Sequence, residues 1–328
     1  MSNTKSRKKT ARAVLTDDQL LSAYRNMYMS RAIDDEEIKL KRKNLYYFQI
    51  SGAGHEAILT AAGMVLRPAH DWFVPYYRDR ALCLQLGMTA EEMFMSGVGA
   101  VEDPNSGGRQ MPSHWGHKDL NIISKSSCTG MQALHAVGAA EAGRYLEMVE
   151  EAREEGSAFE DDEIVYMSIG DGSISEGEFW EGLHSACNMK LPVLFMVEDN
   201  GYAISTPASV QTTGIPVHEM VASYPNLGIF EVDGTDMEAS YATMQEAAAW
   251  CRARKGPALV RATCTRPYSH SMSDDQRMYR SAEEIAEEAE RDPLNLMRRR
   301  LVEGKIATAE ELDTHEAEWR KEVIDASE

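Results

Sequence analysis

Two short polar blocks hold the residues of this sequence that could do chemistry. One is Gly170-Asp171-Gly172-Ser173-Ile174-Ser175-Glu176-Gly177, the other Glu198-Asp199-Asn200-Gly201-Tyr202. Asp171 offers a carboxylate beside backbone that Gly170 and Gly172 leave bare, and Asn200 offers an amide oxygen. Two hard oxygen donors next to a glycine turn suit a Mg2+ that also holds a diphosphate.

The flanking segments must position these blocks. Residues 163–169 and 191–197 are short apolar runs that read as buried strands, with a helical stretch between them. Strand, glycine turn, helix and strand make a βαβ unit with both blocks at strand C-terminal ends. In open parallel sheets ligands bind along that rim.

In chain order, residues 1–14 read as a disordered basic tail. Thr16-Asp17-Asp18-Gln19 is a capping box opening a helix to about Leu40. A glycine turn at 51–54 enters a helix to about Leu66, where His55 reads as a packing residue. Residues 71–79 form a compact strand or turn, and Thr89-Ala90-Glu91-Glu92 caps a further helix. Residues 96–129 are a long loop whose His114, Trp115 and His117 mark it as functional. A helix over 130–149 carries small residues (Ala136, Gly138, Ala139, Ala140) on one face, and 150–163 extends it as an acidic surface. Beyond the central unit come a strand at 229–232, a helix over 237–254 and a strand at 258–264. A mobile polar loop spans 267–280, and capping boxes at Ser281 and Thr308 open C-terminal helices. The alternation implies an α/β fold with a doubly wound parallel sheet. The main domain is expected over 15–290, with a helical extension over 291–328.

With 328 residues, 43% hydrophobic and a net charge of −19, the chain can build a large core. That charge argues against nucleic acid or an anionic membrane as partner. No apolar run approaches a membrane span. The five cysteines form no C-x-x-C pair and suggest buried, reduced thiols in a cytoplasmic protein. Any anionic cofactor therefore needs a local basic or metal-based site. A dinucleotide fingerprint fails, because G-x-G-x-x-G requires glycine where Ser175 stands. No P-loop pattern occurs.

Asn200 follows Asp171 by 29 positions, and the pair looks like the thiamine diphosphate motif of a GDG with a later Asn. Tyr76-Tyr77-Arg78-Asp79, Gly108-Arg109-Gln110-Met111-Pro112, Asn200-Gly201-Tyr202-Ala203-Ile204-Ser205 and His270-Ser271-Met272-Ser273-Asp274-Asp275 accompany it in order. Together, over about residues 15–320, they resemble the alpha subunit of the decarboxylating component of 2-oxo acid dehydrogenase complexes. The branched-chain type is the most similar, with the pyruvate and acetoin types near.

The resemblance implies that Asp171, Asn200 and the carbonyl of Tyr202 hold Mg2+ bridging the diphosphate. Tyr77 and Arg78 would contact the diphosphate, and Gly170, Gly172 and Ser173 would cradle it. Ser127, Thr129, Ala203, Ile204 and His270 complete the cofactor contacts. Phe48, Tyr77, Met111, Ser113, His114 and Ser127 match positions around the 2-oxo acid. His270 is the acid/base candidate, since imidazole exchanges protons near neutral pH, and His114 is the second. The acyl group would pass to a lipoyl-bearing acyltransferase. Relatives take the glutamate that activates the cofactor from a beta subunit, so an α2β2 heterotetramer is expected. Three departures stand out: Glu198 where some branched-chain enzymes carry arginine, Asp199 for an asparagine, and Cys128-Thr129 for a Pro-aliphatic pair.

Overall fold

Residues 15–153 and 159–328 are described by the computed structural model. The expected tail over 1–14 and part of the acidic segment lie outside the described residues. The strands are β1 (Trp72–Val74), β2 (Val165–Gly170), β3 (Val193–Asp199), β4 (Tyr202–Ala203), β5 (Thr206–Pro207), β6 (Gly228–Asp233) and β7 (Ala258–Thr263). Five of them form one parallel sheet in the order β1-β2-β3-β7-β6, while β4 and β5 pair as a separate antiparallel hairpin. The helices are α1 (Asp17–Arg42), α2 (Glu56–Val65), α3 (Arg80–Leu86), α4 (Ala90–Val98), α5 (Met131–Met148), α6 (Gly177–Met189), α7 (Ala208–Gln211), α8 (Val217–Met220), α9 (Met237–Arg252), α10 (Ala282–Glu290), α11 (Pro293–Glu303) and α12 (Ala309–Ser327).

Successive strand residues point to opposite faces, so the two-residue period sorts the core into two layers. Val165, Met167, Val193, Phe195 and Val197 pack under α5 and α6. Tyr166, Leu194, Met196, Val260 and Ala262 pack under α2 and α9, in a core that also takes in α1, α11 and α12. Both faces are covered, as a doubly wound sheet requires. Register then does the positioning. Gly170 stands opposite Glu198, and Asp199 opposite Thr263, so both polar blocks leave the sheet at one rim.

Thr16, Thr89 and Thr308 each close both halves of a capping box. At Ser281 only the hydroxyl half forms. The Glu284 carboxylate is drawn instead to the Tyr202 hydroxyl at 2.8 Å and to Arg280 at 3.0 Å.

The structure differs from the sequence expectations at several points. Helix α3, the β4–β5 hairpin and the short helices α7 and α8 are additional. Residues 267–280 are tied down rather than mobile: the Met272 amide donates to the Gln49 carbonyl at 3.1 Å, and the Gln276 amide group to the Pro267 carbonyl at 3.0 Å. Polar side chains satisfy this backbone, so a low apolar content did not mean disorder. Helix α5 stops at Met148, and a 3-10 turn at Glu150–Ala152 follows. Its small residues do not share a face, because at about 100° per residue Ala136 and Ala140 point inward and Gly138 outward. Four cysteines are buried and Cys128 is exposed, all of them free. Among the described residues no helix is long and apolar enough to cross a membrane.

Candidate active site

The turn after β2 and the hairpin after β3 touch, and glycine makes this possible. A Cβ on Gly172 would lie 2.4 Å from the Ala203 Cβ and 2.9 Å from its Cα; one on Gly170 would lie 2.8 Å from the Tyr76 hydroxyl. The demand at both positions is space. Gly172→Ala should therefore push the turn off the hairpin, costing about 1–3 kcal/mol. Thermal unfolding of the free chain measures that loss.

Asp171 is buried, and its Oδ1 has no hydrogen-bond partner among the described residues. Burial, and then the charge of Asp199, push its carboxyl up to about 7. The Asp199 carboxylate itself pairs with Arg261 at 2.7 Å. Asn200 is buried beside it; its Oδ1 accepts from the Tyr202 amide at 3.3 Å, and its Nδ2 meets His55 Nε2 at 3.3 Å. A buried carboxylate with one unpartnered oxygen beside an amide oxygen fits a hard divalent cation. No group of three or more His, Cys, Asp or Glu that could hold a metal occurs among the described residues. A cation here would thus complete its shell from amide, backbone and diphosphate oxygens. Tyr202 is held at its far end by Glu284, with the Arg266 and Arg280 guanidinium groups 5.3 and 5.2 Å from its ring centroid.

Two cavities meet at the turn. The larger, about 440 Å³, is lined by Asp171, Asn200 and Arg261 among others. The smaller, about 200 Å³, gathers Phe48, Tyr77, Met111 and His114 with Ser127, Thr129, Ser173 and His270. Asp171 faces one cavity and Ser173 the other, so a ligand bound along this turn reaches both. Ser113 is buried just outside the lining, with φ at +62°. Ile204 is 55% exposed at the hairpin tip, with φ at +56°.

The Tyr76 hydroxyl donates to the Tyr77 hydroxyl at 2.7 Å, which lies 3.2 Å from His270 Nε2. Burial first, then Arg78 and Arg266, hold the His270 imidazole down at about 3. This revises the neutral-pH expectation: in the free chain His270 is a neutral acceptor. His114 Nδ1 lies 3.2 Å from the Pro112 carbonyl, which assigns its proton there and leaves Nε2 to accept from the Ser127 hydroxyl at 2.8 Å. Burial and Lys125 lower the His114 pKa, so it too is neutral.

Arg78 sits behind the smaller cavity. Its Nη groups donate to the carbonyls of Ser51 at 2.6 Å and His270 at 3.2 Å, and its Nε has no hydrogen-bond partner among the described residues. It makes no ion pair with Asp79, which accepts from the Ser168 hydroxyl at 2.5 Å.

Sequence reasoning missed a buried acid pair under the rim. Burial raises the carboxyls of both Asp79, to about 6, and Glu198, well above the usual range. Neutral His55 approaches Glu198 to 3.4 Å without closing a hydrogen bond and meets Asn200 on its other side. Glu198 therefore faces inward, toward Asp79 and His55. Lys125 and Gln132, which also line the smaller cavity, were missed as well. A lysine in a polar loop carries no local signal of burial.

The dehydrogenase E1 component family matches residues 24–328 of the chain. Among curated proteins, the 2-oxoisovalerate dehydrogenase subunit alpha of Bacillus subtilis (strain 168) is 38% identical over 280 residues, covering 85% of this chain and 81% of that protein. The 3-methyl-2-oxobutanoate dehydrogenase subunit alpha of Mycobacterium tuberculosis (strain ATCC 25618 / H37Rv) is 33% identical over 85% of this chain and 70% of its own. The pyruvate dehydrogenase E1 component subunit alpha of Staphylococcus aureus (strain N315) is 31% identical over 95% and 78%.

Proposed function

Because the chain belongs to the dehydrogenase E1 component family, we propose that it is the alpha subunit of a thiamine diphosphate-dependent 2-oxo acid dehydrogenase of the branched-chain type. The observation that carries this reading is the pair of cavities joined by the 171–175 turn. One holds a buried carboxylate whose Oδ1 has no hydrogen-bond partner among the described residues, suited to a metal diphosphate; the other has a compact mixed apolar and imidazole lining suited to a small acyl group.

When bound, thiamine diphosphate supplies the carbanion that adds to the 2-oxo carbon and the electron sink that lets CO2 leave. This chain's residues bind and orient. Asp171, the Asn200 amide oxygen and the Tyr202 carbonyl would hold Mg2+, and the backbone of Gly170, Gly172 and Ser173 would cradle phosphate. Arg78 would contribute its free Nε and its charge from behind, and Ala203 and Ile204 would wall the hairpin side. His270 Nε2, oriented by Tyr77, would hold or pass a proton at the substrate carbonyl oxygen. Phe48, Met111, Ser113 and the His114–Ser127 pair would shape the substrate pocket, with Thr129 under the cofactor. Residues 15–290 form the cofactor-binding unit in this reading, and 291–328 its helical extension.

Among the described residues no Asp or Glu lines the smaller cavity. As in the family, the glutamate that activates the cofactor would come from a beta subunit, giving an α2β2 heterotetramer that serves a lipoyl-bearing acyltransferase in the cytoplasm. Exposed Leu134, Tyr145 and Met148 on α5 offer an apolar face for that assembly.

Co-expression with a candidate beta chain tests the proposal. Alone, the chain should release no CO2 from any 2-oxo acid. The complex should decarboxylate branched 2-oxo acids ahead of pyruvate and acylate a lipoyl domain. Binding of NAD without thiamine diphosphate, or turnover by the isolated chain, would defeat it.

A further inference from the structure

The smaller cavity contains a cation without a counter-ion. Lys125 is only 4% exposed, yet its ammonium makes no ion pair with any described carboxylate. Its backbone is pinned from both sides. The Lys125 amide donates to the Trp115 carbonyl at 3.0 Å, and the Lys125 carbonyl accepts from the Gln110 side chain at 2.9 Å. The side chain therefore reaches the cavity from a fixed anchor. Its Nζ lies 4.8 Å from the Tyr77 ring centroid and 5.9 Å from that of Tyr76.

Ring faces offset part of the cost of burying an ammonium, but less than a carboxylate would. Burial pulls the Lys125 pKa down to about 8, with the charge of Asp79 opposing, so the amine is still largely protonated at neutral pH. The rest of the lining is apolar or neutral: Phe48, Ile50, Met111 and Pro112 are apolar, and both imidazoles are unprotonated. A buried cation in such a pocket is completed by an anionic ligand.

Resting on the functional reading above, we propose that Lys125 receives the C1 carboxylate of the 2-oxo acid. Tyr77 locates the ammonium relative to the reaction. Its ring carries Lys125 Nζ on one side, and its hydroxyl meets His270 Nε2 at 3.2 Å. Cation and proton-handling imidazole thus share one side chain, as C1 and the C2 carbonyl share one bond. The apolar lining at Phe48, Ile50 and Met111 is left for the alkyl tail.

The pairing makes a distinctive kinetic demand. The carboxylate is charged in the bound substrate and loses that charge as CO2 departs, so the ion pair belongs to the ground state. Removing it weakens substrate binding without slowing the step that follows.

The test uses the assembled complex carrying Lys125→Met, which keeps the stem and removes the charge. The KM for 2-oxoisovalerate and for pyruvate should each rise by roughly tenfold or more, with kcat unchanged or raised and cofactor affinity unchanged. Inhibition by the neutral amide of the same 2-oxo acid should be the same in both proteins. Lys125→Gln provides the same reading if the methionine variant does not assemble. An unchanged KM overturns the proposal, as does weakened cofactor binding at unchanged KM, which would assign the ammonium to the diphosphate. A wild-type complex that decarboxylates no 2-oxo acid would instead defeat the functional reading itself.

Discussion

Asp171→Ala is expected to weaken Mg2+-dependent thiamine diphosphate binding by at least about 100-fold in the assembled complex. The carboxylate is the one anionic group proposed to hold the metal, and its Oδ1 is buried with no hydrogen-bond partner among the described residues. Calorimetric titration with cofactor and Mg2+ measures the effect, and retained tight binding would remove Asp171 from the metal site. The free chain should respond in the opposite sense. Its Asp171 pKa is raised to about 7, so the folded state binds a proton that the unfolded state has already lost above about pH 4. The stability contribution of Asp171 is thus fully present below that value and declines as pH rises through about 7. Asp171→Asn should flatten this decline and leave the cofactor-free chain at least as stable at pH 8. Mg2+ competes with the same proton, so cofactor affinity in the wild-type complex should fall as pH drops below about 7.

His270→Ala should lower turnover by about 100- to 10,000-fold while leaving cofactor binding largely intact. Its imidazole ends the Tyr76–Tyr77–His270 chain inside the smaller cavity, away from the metal ligands. Single-turnover measurement of CO2 release and of acyl transfer to a lipoyl domain separates the two half-reactions. Unchanged rates in both would dismiss His270 from proton handling. In the free chain burial, Arg78 and Arg266 keep this imidazole neutral, at about 3. An anionic diphosphate near those two guanidinium groups would offset them, so the His270 pKa should rise when cofactor binds. Histidine NMR of the complex with and without cofactor reads that shift directly.

Much of this architecture was legible in the linear pattern. The short apolar runs over 163–169 and 191–197 announced buried strands, since a continuous apolar run needs only near neighbours to be recognised. Thr16, Thr89 and Thr308 announced helix starts for the same reason: a capping box closes within four residues. Glycines 170 and 172 flanked a carboxylate, and β2–β3 register placed that block beside Asn200. Phe48, Tyr77, Met111, His114, Ser127 and His270, distant in the chain, line one cavity.

What the tertiary structure alone decided depended on distant partners. Ser281 and Glu284 have the spacing of a capping box, yet Glu284 is taken by Tyr202 across 82 positions. The polar 267–280 segment looked mobile because the groups that order it, such as Gln49, come from elsewhere in the chain. Arg78 and Asp79 are chain neighbours, yet the fold turns Arg78 toward Ser51 and His270 and Asp79 toward Ser168. Lys125 is the clearest case. Charge is a property of the residue and is written in the sequence. Desolvation is a property of everything packed around it, and only the closed fold surrounds that ammonium with tyrosine rings and leaves it facing the cavity.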